Sequence, residues 1–292
     1  MGTLLYFEDE APQALRLAEA AALEPRVIER HRFPDGELRL RLPEALPARV
    51  VLLRSLDRPN EKLTELLLAA RTARELGVEH LTLVAPYLAY MRQDKAFAPG
   101  EAISQRIVGR FLADLFDALL TVDPHLHRVA TLQQAVPVPE ARCLSAAPLW
   151  GHWIASQLNK PILVGPDIES QAWVVQAAAT HGFEHAVCRK IRHGDLHVEV
   201  ALPPLQVQGR ATVLIDDVAS SGRTLAEAAR LLLSAGAASV DVAVTHALLA
   251  DDALAVMRAA GIRHLWSTDA IAHPSNVVKL APALAAALQT QG

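Results

Sequence analysis

The order in which apolar runs and helical patterns follow one another constrains this chain most. "RVVLLRS" (49–55) is a short apolar run. "NEKLTELLLAARTAREL" (60–76) then carries apolar residues at helical spacing, with Asn60 expected to cap the helix and Gly77 to stop it. "HLTLVAPYL" (80–88), "ISQRIVGRFLADLF" (103–116) and "ALLTVDPH" (118–125) continue as strand, helix and strand. This alternation predicts parallel strands covered by helices on both faces.

The pattern then restarts. Helices are expected over 147–158, 169–182, 224–237 and 251–261, and strands over 160–167, 184–190, 211–217 and 239–248. A last helix over 277–289 fits either half. Three prolines in "VPVPEARCLSAAP" (136–148) mark the break. The expected fold is α/β, with two tandem domains of similar design, 1–145 and 146–292, each a mainly parallel sheet flanked by helices.

Composition removes several classes of partner. Lys plus Arg is 28 and Asp plus Glu is 32, a net charge of −4 that argues against nucleic acid. A small anionic ligand needs only a local cluster and stays open. Cys143 and Cys188 lack metal-ligand spacing and read as free thiols of a reducing, cytoplasmic compartment. The start, "MGTLLYFEDE", has neither the basic region nor the apolar core of a signal peptide. No apolar run approaches the roughly 18 residues of a membrane span, so no membrane association is expected.

In open parallel sheets, ligands sit beyond the carboxyl ends of the strands. Here those ends read Pro86-Tyr87 with Arg92-Gln93-Asp94 beyond, Asp123-Pro124-His125, Gly165-Pro166-Asp167 and Asp216-Asp217. The last opens "DDVASSGRT" (216–224). A helix starting near Thr224 offers unpaired N–H groups and a positive dipole end, which suit phosphate. Ser220, Ser221 and Thr224 add hydroxyls, and Gly222 permits close approach. Asp216 and Asp217 are wrong for phosphate and right for accepting hydrogen bonds from sugar hydroxyls. Phosphate beside vicinal hydroxyls describes a ribose 5-phosphate; a plain helix cap with one structural and one exposed Asp is the other reading. The Mg²⁺ carboxylate of a P-loop ATPase requires G-x-x-x-x-G-K-[ST], which is absent.

Other segments are less decisive alone. "RFPDGELRLRL" (32–42) carries a Pro-Asp-Gly turn before an alternating strand, the pattern of a hairpin. "YMRQDKAF" (90–97) puts Arg92 and Lys95, both able to meet phosphate, beside Asp94, with which Arg92 could equally form a surface pair. His125 and His127 stand two apart, as metal ligands or as surface histidines. "CRKIRHGDLHVEV" (188–200) reads as a charged hairpin.

Together with "DPH", "GPD" and "VTHAL", these segments make the chain resemble the ribose-phosphate diphosphokinases, the synthetases of phosphoribosyl pyrophosphate, over nearly its whole length. Phe97, Gly100-Glu101 and Ser220 bring it nearest the archaeal type. The resemblance implies two type I phosphoribosyltransferase-like domains and Mg²⁺-dependent transfer of the diphosphoryl group of ATP to the 1-hydroxyl of ribose 5-phosphate, releasing AMP. It implies that Phe33, Asp35 and Glu37 meet adenine across a subunit interface, hence a homo-oligomer of at least two copies. Arg92, Gln93 and Asp94 would hold the ATP phosphates, and His125 and Asp167 the Mg²⁺. Lys190 and Arg192 would close over the transferring group. Asp216 and Asp217 would hold the ribose hydroxyls, and Ser220, Ser221, Gly222 and Thr224 the 5-phosphate.

One turn departs from the family. Where its members have glycines after the metal-binding Asp, this chain has Ile168-Glu169-Ser170-Gln171. Glu169 could add a carboxylate toward metal, or Ser170 could cap the next helix. Three alternatives stay in view: a phosphoribosyltransferase and, raised by that turn, a non-catalytic regulatory paralogue and the same chemistry on another pentose phosphate or nucleotide donor. The first shares the sugar-phosphate loop but has no use for a second similar domain. The second could have lost Lys190, Arg192 or Asp217, and all three are present.

Overall fold

The structure is a computed structural model that describes residues 2–126, 128–193, 197–202 and 205–289, with the backbone alone over 190–193 and 197–200. The chain divides between Leu144 and Ser145 into two compact units, and residues from Leu280 onward belong to the first.

The first unit runs β1 (Thr3–Phe7), α1 (Ala11–Ala21), β2 (Glu24–Arg32), β3 (Leu38–Arg41), β4 (Arg49–Leu53), α2 (Pro59–Glu75), β5 (His80–Ala85), α3 (Ser104–Ala113), β6 (Ala118–Val122), α4 (Leu132–Ala135) and β7 (Glu140–Leu144). Its seven strands lie in the order β3-β2-β1-β4-β5-β6-β7. β2 and β3 are antiparallel; every other neighbouring pair is parallel. β5 and β6 are buried almost end to end because helices cover both faces of the sheet. β2 differs: only Ile28 of its nine residues is buried.

The second unit runs α5 (Ala147–Gln157), β8 (Ile162–Gly165), α6 (Gln171–Ala179), β9 (His185–Val187), β10 (Arg189–His193), β11 (His197–Ala201), β12 (Ala211–Ala219), α7 (Arg223–Ser234), β13 (Ser239–Ala247), α8 (Ala253–Ala259), β14 (Ile262–Thr268) and β15 (Asn276–Val278). Six strands form a parallel sheet in the order β15-β14-β13-β12-β8-β9, and β10 and β11 form a separate antiparallel pair. The strand expected over 184–190 is therefore two strands, β9 in the sheet and β10 in the pair. The last helix, α9 (Ala281–Gln289), packs against α1.

Two details correct the sequence reading. Asn60 does not cap α2: the chain enters through Arg58 in the left-handed region (φ 51), and Pro59, with its preset φ, takes the first helical position. Asn60 instead accepts a hydrogen bond from the Tyr90 hydroxyl. The stretch 136–148, expected only as the break, also holds a strand the sequence reading did not expect: β7 forms after Pro139 as an edge strand paired only with β6, where prolines ahead of the strand cost no ladder bonds. Gly77 does end α2, at φ 91, with its N–H donated to the Arg74 carbonyl at 3.0 Å.

Each parallel sheet reverses its winding once. In the first unit the reversal falls between β1 and β4, in the second between β8 and β12. The crevice beyond the strands at such a point is where this class of sheet accepts ligands.

Candidate active site

The crevice of the second unit collects the residues singled out for the sugar phosphate. β12 carries Asp216 and Asp217 at its carboxyl end, and β8 leads directly into Asp167. Asp217 is buried, and its N–H donates to Asp216 Oδ1 at 3.0 Å. Burial, with Asp217 and then Asp167 adding like charge, holds the Asp216 carboxyl well above the usual carboxylate range. The same burial and like charge disfavour a bare carboxylate at this position.

Beyond β12 the chain turns through Ser220, Ser221 and Gly222 into α7. Gly222 is left-handed at φ 69, and a β-carbon there would stand 2.9 Å from Met257 Cγ and 3.2 Å from the Ala253 carbonyl oxygen. Both the backbone and the packing of α8 thus require glycine. The turn is pinned to the chain leaving β13: Leu248 N donates to the Ala219 carbonyl at 3.0 Å and Ala250 N to that of Ser220 at 3.1 Å. The twelve-residue α7 presents its first-turn N–H groups here, beside Ser221 and Thr224. The first turn of α7 and the two carboxylates of β12 therefore lie at the same end of the sheet.

The Asp167 turn is closed on itself. Asp167 Oδ1 accepts from Glu169 N at 3.1 Å. Ser170, fully buried, donates its hydroxyl to the Asp167 carbonyl at 2.6 Å. A 3-10 turn over Ile168–Ser170 leads into α6, so Ser170 fixes the turn where the sequence left it as a possible cap. Asp167, Ile168, Glu169 and Arg189 line a cavity of about 380 Å³. Cys188 is buried below, and burial followed by the Asp167 charge pushes its thiol up to about 11, which leaves it unreactive.

The crevice of the first unit is filled by the protein's own charges. Arg54, just past β4 and 1 % exposed, donates to Asp9 Oδ2 at 2.8 Å and to Glu65 Oε2, and lies 3.2 Å from Glu10 Oε2. Its guanidinium stacks 4.5 Å from the centre of the Phe7 ring. Lys62 reaches Asp57 at 2.5 Å and the Ser55 carbonyl at 2.7 Å. Ser55 N donates to Glu10 Oε1 at 2.9 Å. Burial raises the Glu10 carboxyl to about 7 against the opposing pull of Arg54 and Lys62. Sequence reading missed this cluster, although a charged residue directly after an apolar strand and Glu65 within "TELLLAA" were its signals.

The remaining residues fall on loops. Phe33–Glu37 is a hairpin turn joining β2 to β3. Gly36 N donates to the Phe33 carbonyl at 2.9 Å and Phe33 N to that of Glu37 at 2.9 Å. Gly36, at φ 96, makes it a turn with a left-handed glycine. Glu37 N donates to Asp35 Oδ1 at 3.1 Å, and the Phe33 ring meets the edge of His31. Arg92 is exposed. Gln93 Oε1 accepts from the Ser104 hydroxyl at 3.0 Å. The Asp94 side chain is buried and paired with Arg128 at 2.5 Å, tying this loop to the one that follows β6 and carries the half-buried His125. Arg128 is a further partner that the sequence did not flag. Lys190 and Arg192 stand two residues apart on β10, with side chains outside the described residues, as is all of His127.

The oxygen donor at Asp167 suits Mg²⁺. No three His, Cys, Asp or Glu side chains converge as a metal cage among the described residues. A single carboxylate such as Asp167 fits an ion carried on substrate phosphates, which takes only one or two protein carboxylates. Nor is any helix among the described residues long and apolar enough to cross a membrane.

Comparison with known proteins agrees with this geometry. Residues 3–115 match the model of the N-terminal domain of ribose phosphate pyrophosphokinase, and residues 150–258 that of the phosphoribosyl transferase domain. A ribose-phosphate pyrophosphokinase of Methanopyrus kandleri is 37 % identical over 94 % of this chain and 94 % of its own length. One of Methanosarcina acetivorans is 36 % identical over 94 % and 95 %. The crystal structure of phosphoribosylpyrophosphate synthetase from Mycobacterium smegmatis shares the fold, with a TM-score of 0.85 at 24 % identity over 99 % of this chain and 98 % of that one. The fold expected from the alternating pattern holds, and the chain belongs to the ribose-phosphate pyrophosphokinase family.

Proposed function

We propose that the protein makes 5-phosphoribosyl 1-diphosphate from ATP and ribose 5-phosphate with release of AMP. The observation that carries this reading is the crevice at β8 and β12, where the first turn of α7 and two carboxylates lie at the same end of the sheet. The 5-phosphate lies against Ser220, Ser221, Gly222, Thr224 and the start of α7. Asp216 and Asp217 accept hydrogen bonds from the 2- and 3-hydroxyls, which fixes the 1-hydroxyl in line with the β-phosphorus. The bond from the 1-oxygen to the β-phosphorus forms as the bond from that phosphorus to the bridging oxygen of AMP breaks. The hydroxyl proton passes to solvent.

Phosphoryl-type transfer asks for alignment and charge neutralisation more than for covalent chemistry. Mg²⁺, when present, would neutralise charge on the ATP phosphates; Asp167 in the second unit and His125 in the first are each candidates to hold it. Arg92 and Gln93 meet those phosphates, while Asp94 anchors their loop through Arg128. Lys190 and Arg192, on the β10–β11 pair, stabilise charge on the transferring group. Phe33, Asp35 and Glu37 receive the adenine of ATP held by a second copy, so the working form is at least a dimer. The cytoplasm is the compartment that supplies both substrates. A direct test is AMP release on mixing protein, ATP, ribose 5-phosphate and Mg²⁺. AMP that forms only with the pentose phosphate present supports the reading, and its absence refutes it.

A further inference from the structure

The turn that carries Phe33, Asp35 and Glu37 stands at the tip of an arm. β2 pairs with β1 only as far as Ile28 opposite Phe7, and from Glu29 onward its strand partner is β3 alone. Beyond β1, the bearing of this hairpin depends on what its side chains grip. Arg30 and Arg32 share one face of β2, separated by about 6.6 Å of strand rise. Glu61 and Glu65 share one face of α2, separated by about 6 Å of helix rise. The two spacings match, and the four side chains pair in order. Arg32 forks across Glu61, Nη1 to Oε1 at 3.2 Å and Nη2 to Oε2 at 2.5 Å. Arg30 Nη1 donates to Glu65 Oε1, whose other oxygen accepts from Arg54. Arg30 Nη2 also reaches Asp9 at 3.4 Å. The inner pair is thereby rooted in the buried cluster of the first unit, and the outer pair lies in solvent, with side chains 47 % and 63 % exposed.

We propose that Arg32 and Glu61, backed by Arg30 and Glu65, are positioning residues for ATP use, holding the 33–37 turn at the bearing that adenine recognition requires. This rests on the reading that the turn meets adenine. Glu61 lies on a different element from the turn, and its pairing with Arg32 is two-pronged and directional. An exposed ion pair adds little to global stability, so its loss separates positioning from folding.

The experiment compares Arg32→Glu, Glu61→Arg and the double variant carrying both. Each single reversal should raise the KM for ATP about tenfold, a modest share of the roughly hundredfold that an ångström of misplacement can cost. The KM for ribose 5-phosphate and the melting temperature should stay near wild type, and the double variant should recover most of the ATP affinity. Amide hydrogen exchange at residues 33–37, read without substrate, should quicken in the singles and slow again in the double. Unchanged exchange in the singles overturns the clamp. Changed exchange with an unmoved KM for ATP, or a double variant as impaired as the singles, overturns its role in ATP use. A wild type that releases no AMP refutes the functional reading, and the positioning role with it.

Discussion

The hydroxyl oxygen of Ser170 lies against the bare α-carbon of Gly165: a β-carbon there would come within 2.3 Å of it. The same oxygen donates to the Asp167 carbonyl. A turn that looks irregular in sequence is thus a lock between the last residue of β8 and the start of α6, with Asp167 between them. Gly165→Ala should destabilise the protein by about 1–3 kcal/mol, the usual cost of overpacking, and raise the Mg²⁺ concentration needed for half-maximal turnover. Adding Ser170→Gly restores the room and should recover part of the stability. Thermal denaturation with a Mg²⁺ titration checks both; a Gly165→Ala protein that matches wild type in each contradicts the lock.

Gly222 meets two separate demands, a left-handed backbone and contact with Met257. Gly222→Ala should raise the KM for ribose 5-phosphate at least about tenfold, as loss of well-aligned phosphate donors does. The KM for ATP should move little. Initial rates over a matrix of both substrates separate the two, and an equal rise in both constants would instead indicate general unfolding of the second unit.

Glu10 gives a pH signature. Its ordinary pKa is 4.5 and its folded value about 7, so folding takes up a proton between those values. The stability this group contributes is full below pH 4.5 and is lost as pH rises to 7. Glu10→Gln mimics the protonated form and should flatten that part of the melting-temperature profile. If wild type and variant fall in parallel between pH 5 and 7, the buried carboxyl is not the titrating group.

Much of this was legible in the sequence because it is local. Apolar runs, Gly77 and the Pro-Asp-Gly turn announce themselves within a few residues, and "DDVASSGRT" carries its carboxylates and the hydroxyls and glycine of the turn into α7 in nine letters. What stayed hidden depends on distant partners. Arg54 and Glu65 look like ordinary charges until β1, β4 and α2 are brought together. Asp94 reads as half of a pair with Arg92, and it finds Arg128 instead. Asn60 reads as a cap because Arg58 gives no hint of its left-handed backbone. β7 is masked by the prolines around it, which an edge strand tolerates.

The measurement that bears most directly on the proposed reaction is ³¹P NMR of wild type and Lys190→Ala, each incubated with ATP, ribose 5-phosphate and Mg²⁺. Wild type should give one AMP and one 1-diphosphorylated pentose phosphate for each ATP consumed. The variant should do so about 10²–10³ times more slowly, the cost of removing one group that stabilises developing charge. ADP as the product, diphosphate released free, or an unchanged rate in the variant would contradict the diphosphoryl transfer assigned to this site.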